Sequence, residues 1–153
     1  MSDDGSEGGA TGAGTGDVAP VDFDRPELIR DRFRGDDRFV DIEWRPGYAP
    51  DRLVCEYDPG FYPGHVEEAR LEIVLFENGD FSIQYHERHD EGTVDHRWDR
   101  HPSDHNAREH IHPGPDAPTP GEDTSYPHDW RDALSGILSE VQARQRAFWN
   151  TED

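Results

Sequence analysis

ARLEIVLFENGDFSIQYHER, running from Ala69 to Arg88, decides the fold of this chain. Apolar and polar residues alternate on both sides of Glu77-Asn78-Gly79, which is the pattern of two half-buried strands joined by a tight turn. The register follows from the side chains. A two-residue Asn78-Gly79 turn would set Leu75 opposite Ser82 and Ile73 opposite Gln84. A three-residue loop with Gly79 left-handed in a bulge sets Leu75 opposite Phe81, Ile73 opposite Ile83 and Leu71 opposite Tyr85. Only the second places all six apolar residues on one face, so the second is expected.

The other face of that hairpin then carries Ser82, Gln84, His86 and Arg88. The strand Thr93–Arg100 should pair next, through Asp90-Glu91-Gly92. A second three-residue loop would set His86 opposite His96 and Gln84 opposite Trp98. The polar face would collect His86, His96, Arg88 and Arg100, with Trp98 at its flank. Upstream, Val40, Ile42 and Trp44 alternate with acids, PGYAPD turns the chain, and Leu53, Cys55 and Tyr57 alternate again. A short helix is expected from about Asp24 to Phe33, capped by Asp24, with Pro26 in its first turn and Gly35 after its end. Leu28, Ile29 and Phe33 would form its buried stripe. Residues 101–125 are rich in Pro, His, Asp and Gly without strong periodicity and read as a long loop, of the kind that is usually functional or disordered. Pro127 and Asp129 open a last helix whose Trp130, Leu134, Ile137, Leu138, Val141 and Phe148 form an apolar stripe. The expected fold is α+β: an antiparallel β-meander of about five strands, a short N-terminal helix and a C-terminal helix packed on the sheet.

Composition bounds the rest. The chain has 153 residues, 35 Asp and Glu against 15 basic residues, and a formal net charge of −20. Every basic residue is Arg, since Lys is absent. We read this as adaptation to multimolar salt, a halophilic acidic composition. At about 1 M salt the Debye length is about 3 Å, so self-repulsion is screened while carboxylates keep the surface hydrated. The same screening means that net charge does not exclude nucleic acid as a partner. Residues 1–22, an acidic Gly-rich stretch, are expected to be disordered, and 23–150 to form a single domain. The lone Cys55 excludes an intramolecular disulfide and a cysteine-based zinc cluster, and reads as a buried inert thiol. No apolar run is long enough for a membrane span, and no signal peptide is apparent; the expectation is a soluble cytoplasmic protein.

Eight of the nine histidines fall between Gln84 and His128: His86, His89, His96, His101, His105, His110, His112 and His128. Imidazole exchanges protons and ligates metals near neutral pH. Three readings stand side by side. His101, His105, His110 and His112 offer ligands for a divalent metal such as zinc, His110-Ile111-His112 being an H-x-H pair. Alternatively, His96 and His101 exchange protons on a phosphodiester while Arg97 and Arg100 hold the phosphate and Trp98 stacks on a base. The third reading is structural, with Asp95, Asp99, Asp104 and Glu109 pairing the imidazoles and guanidiniums. Trp98 and Trp130 read first as core or cover residues.

The segment HRWDRHP…HIHPG resembles the TumE-type toxin family of toxin–antitoxin pairs. The family has a β-meander followed by an R-[YW]-D element, a Pro/His-rich stretch with closely spaced histidines, and a C-terminal helix. The matching residues are Arg97, Trp98, Asp99, His101, His110, His112 and Pro113, and the resemblance spans roughly Ala69 to Trp149. Two features depart from the pattern: an insertion over Ser103–Arg108, between Asp99 and the H-x-H pair, and the Pro-rich extension HPGPDAPTPGED. The resemblance implies a toxin with an antitoxin partner, acting on RNA; joined to the phosphodiester reading above, it makes His96, Arg97, Asp99, Arg100, His101, His110 and His112 the expected site. The runner-up is a non-catalytic metal-binding or regulatory interaction protein.

Overall fold

In the computed structural model, which describes residues 19–48, 50–102 and 106–150, the described residues form one antiparallel seven-stranded sheet whose strands lie side by side in chain order. The strands are β1 (Phe39–Arg45), β2 (Arg52–Tyr57), β3 (Val66–Leu75), β4 (Phe81–His89), β5 (Gly92–Arg100), β6 (Glu109–His112) and β7 (Glu122–Asp123). Helix α1 (Arg25–Arg34) precedes them and α2 (Trp130–Asn150) follows. The fold is the expected α+β meander, with two more strands than expected because β6 and β7 form inside the His/Pro-rich stretch. Among the described residues no helix is long and apolar enough to cross a membrane.

The β3–β4 hairpin forms in the expected register, with Leu75 opposite Phe81, Ile73 opposite Ile83 and Leu71 opposite Tyr85. Phe76 N donates to Asp80 O at 2.9 Å, which leaves Glu77-Asn78-Gly79 as the loop, and Gly79 has φ +91°. Left-handed backbone of this kind costs a glycine nothing, because it has no Cβ. The six apolar residues join Leu53, Cys55 and Tyr57 of β2 in the core, beneath Ile29 and Phe33 of α1 and Leu134, Ile137, Leu138 and Val141 of α2. Cys55 is fully buried, and burial pushes its thiol pKa up, as an inert thiol requires.

The β4–β5 register corrects the expectation by one residue. Asp90-Glu91 is a two-residue turn between His89 and Gly92, so Tyr85, not His86, faces His96, and Gln84 faces Arg97. A one-residue slip exchanges the faces of a whole strand. His96, Trp98 and Arg100 therefore lie on the core side, while Asp95, Arg97 and Asp99 join Ser82, Gln84 and His86 on the polar side. The physical reason is Trp98: opposite Ile83 it is 3% exposed, which stabilises the sheet by roughly 2–3 kcal/mol relative to leaving the indole in water.

Smaller differences have local causes. Leu28 is exposed rather than buried, since Ile29, Phe33 and Pro26 fill the α1 contact. Asp22, not Asp24, caps α1, its Oδ1 accepting from Asp24 N at 2.8 Å and Arg25 N at 3.1 Å. A register shift between Phe39 and Asp41 turns Val40 outward and stacks Phe39 on Phe33. Of the stretch expected to be disordered, residues 1–18 lie outside the described residues. Val21 bridges to Phe76, and Asp22 N donates to Leu75 O at 2.8 Å, so the last part of that stretch is tied to the sheet.

Candidate active site

Strand alternation assembles the site. β5 pairs with β6 so that Asp99 faces His110 and Arg97 faces His112. Along each strand, residues two apart share a face, so Arg97, Asp99, His110 and His112 stand together on the polar side while Trp98 and Ile111 point into the core. The Ser103–Arg108 insertion lies within the β5–β6 connection, so it separates Asp99 from the H-x-H pair in sequence but not in space. His101, the first residue after β5, returns to the same group.

Asp99 is the centre. Its side chain is wholly buried, and Oδ2 lies 2.9 Å from Arg97 Nε, 3.2 Å from His110 Nε2, 3.2 Å from His112 Nε2 and 3.4 Å from His101 Nε2. Oδ1 accepts from Ser82 Oγ at 2.8 Å. Burial alone would raise the Asp99 pKa. The hydrogen bond from His101, the charge of Arg97 and the Ser82 hydroxyl outweigh it and hold the carboxyl at about 2. The hydrogen bond to Asp99 in turn raises the pKa of His101.

The imidazoles are oriented from behind. Nδ1 lies 2.8 Å from Ala107 O in His110, 2.7 Å from Pro118 O in His112 and 2.8 Å from Pro102 O in His101. A carbonyl only accepts, so each Nδ1 carries the hydrogen and each Nε2 is turned toward Asp99. Tyr126 braces the two strands, its hydroxyl donating to His110 O at 2.7 Å and accepting from Asp99 N at 3.1 Å. His110 and His112 are almost completely buried; the side chains of His101 and Arg97 are 26% and 35% exposed and form the mouth.

Gly121 sets the spacing behind His112. A Cβ there would lie 2.1 Å from Ile111 O and 3.0 Å from His112 Nδ1. Gly121→Ala is therefore expected to push β6 out of place and to lower stability by roughly 1–3 kcal/mol, as overpacking does. Gly35→Ala, with nothing within 4 Å of the added methyl, should change stability by less than about 0.5 kcal/mol. Thermal unfolding of the two variants checks this.

Of the residues singled out from the sequence, the structure brings Arg97, Asp99, His101, His110 and His112 together. It does not bring His96 or Arg100 to them. His96 stacks on Trp98 on the core side, with Nδ1 accepting from Gly114 N at 3.0 Å. Arg100 is buried and donates to Glu109 Oε2 at 2.8 Å, to His128 O at 3.0 Å and to Pro127 O, fastening the approach to α2 onto the sheet. His105 lies outside the described residues. Sequence reasoning missed Ser82, Tyr126 and Gly121. Ser82 alone had a signal, because the correct β4–β5 register sets it opposite Asp99.

No curated protein and no solved structure matches the chain. A family model described as Toxin TumE matches residues 27–145, and by that match over most of its length the chain belongs to the TumE toxin family.

Proposed function

We propose that this toxin acts on RNA, cleaving phosphodiester bonds at the Asp99 cluster. The observation that carries this reading is the convergence of Arg97, His101, His110 and His112 on one buried carboxylate, with only Arg97 and His101 reaching solvent. Arg97 offers the planar guanidinium suited to a phosphate. His101 works through Nε2 in its neutral form, with the remaining hydrogen on Nδ1 toward Pro102 O: it takes the 2′-hydroxyl proton as the phosphorus–O2′ bond forms, and returns it to the 5′-oxygen as the phosphorus–O5′ bond breaks. Asp99 positions both groups, and His110 and His112 complete the wall behind them. His96 and Arg100 have no part in this step.

Family membership supports an antitoxin partner, whose cognate surface we place over the mouth formed by Arg97 and His101. We place the action in the cytoplasm, where such a target is found, and read the acidic surface as suited to high salt.

The test is expression in the presence and absence of an adjacently encoded antitoxin. Wild type should arrest growth and cleave RNA in vitro in high salt. Arg97→Ala and His101→Ala should each reduce cleavage by at least 100-fold while retaining the wild-type far-UV spectrum. Growth arrest with RNA left intact would overturn the reading.

A further inference from the structure

We propose that Asp99 Oδ2, His110 Nε2 and His112 Nε2 form a three-ligand site for a divalent transition-metal ion, open toward His101 and Arg97. The inference deepens the RNA reading by naming the ion at its centre, but it rests on the site's geometry alone.

Three observations carry it. The first is distance. The three donor atoms lie within 4.8 Å of one another, and each Nε2 is 3.2 Å from Asp99 Oδ2. Ligands held tetrahedrally at the usual 2.0–2.1 Å from zinc are about 3.3–3.4 Å apart, so the carboxylate–imidazole separations match the edges of such a shell.

The second is tautomer. The carbonyls of Ala107 and Pro118 hold the hydrogen on Nδ1 of His110 and His112. In His112 the assignment is independent of the carbonyl, because Arg97 Nη2 lies 2.9 Å from Nε2 and a guanidinium only donates. His112 thus presents an Nε2 lone pair inward, and both rings give an Nδ1 hydrogen to a backbone acceptor with Nε2 turned toward Asp99. That is how metal-ligating histidines are usually oriented.

The third is burial. Both imidazoles are almost fully buried and turn Nε2 toward one oxygen of the wholly buried Asp99 carboxylate. One divalent ion serves all three groups, since it binds two imidazole nitrogens and a carboxylate together. His101 is a flanking group: its Nε2 is 3.4 Å from Asp99 Oδ2 and its ring stands edge-on to His110 at 5.3 Å. With three protein ligands, a fourth position remains for water or a phosphate oxygen, as in catalytic rather than structural zinc sites. Binding of the ion takes the His112 lone pair from Arg97 and releases the guanidinium toward substrate.

The experiment uses the full untagged chain, dialysed against chelator and titrated with Zn²⁺ by calorimetry, and with Co²⁺ by visible absorption. One equivalent of zinc should bind with a dissociation constant below about 1 μM, and Co²⁺ should give the intense bands of a four-coordinate site. His112→Asn should weaken zinc binding at least 100-fold, whereas His101→Ala and His86→Ala should weaken it less than tenfold. Should His112→Asn fail to fold, the wild-type Co²⁺ spectrum decides alone: weak octahedral bands overturn the proposal. So does an absence of stoichiometric zinc. Zinc bound as described by a protein that leaves RNA intact removes the RNA reading and leaves the metal site standing.

Discussion

Asp99→Asn is expected to abolish growth arrest and to lower the unfolding free energy by about 3–5 kcal/mol, the usual loss when one partner of a buried charged group is removed. For a domain of this size that is a fall in Tm of roughly 10 °C or more. The carboxylate is fully buried and gathers Arg97 Nε, three imidazole Nε2 atoms and the Ser82 hydroxyl within 3.4 Å. The amide of asparagine keeps the shape but removes the charge that pairs with Arg97 and accepts from His101 and Ser82. Ser82→Ala removes one hydrogen bond to the same carboxylate and should cost only about 1 kcal/mol. The contrast between the two separates the charge of Asp99 from mere packing at this position. Thermal unfolding in constant molar salt, read beside a growth assay, measures both effects. An Asp99→Asn protein with wild-type Tm would show that the carboxylate does not hold the cluster.

The sequence made the β3–β4 hairpin legible because six apolar residues admit only one register. The next hairpin is less legible, because Asp90-Glu91-Gly92 has the composition of a three-residue loop. Gly92, with φ +151°, is in fact the first residue of β5. The criterion that fixed the first hairpin also resolves the second: Trp98 has to join Ile83 on the core face. That register brings Arg97, Asp99 and Ser82 together and sets His96 and Arg100 on the far side. The H-x-H pair was visible as a pair, but its strand was not. Four residues, Glu109–His112, carry too little alternation to stand out from a Pro- and His-rich stretch. Nor does any local pattern encode the carbonyls of Ala107 and Pro118, which orient His110 and His112 from segments whose backbone course is set by tertiary packing.

Glu87→Gln is expected to have the second largest effect, at a point far from the site. Glu87 is fully buried on the core face of β4. Arg144 of α2 reaches it with Nε at 2.5 Å and Nη2 at 2.8 Å, His89 Nε2 lies 2.7 Å from Oε1, and the Tyr85 hydroxyl donates to Oε2. Tyr85 in turn contacts the Tyr62 hydroxyl at 2.9 Å, to which Gln145 donates at 2.8 Å. This network fastens α2 to the sheet at the end away from Arg100. Removing its only carboxylate among these partners should cost about 3–5 kcal/mol. The pH dependence has a definite sign. Burial raises the Glu87 pKa, but hydrogen bonds from Arg144, Tyr85 and His89 outweigh it and hold it below the ordinary 4.5. Its stabilisation is therefore complete above about pH 4.5 and is lost as pH falls through the depressed folded value. Wild type and Glu87→Gln should differ most near neutral pH and converge below pH 4.5. The acid loss that remains in the variant should include that of Asp99, whose window runs from 3.8 down to about 2. Denaturant titrations at a series of pH values in molar salt, which screens the −20 charge, measure the convergence. A gap between the two proteins that stays constant down to pH 2 would show that Glu87 does not contribute as a buried carboxylate.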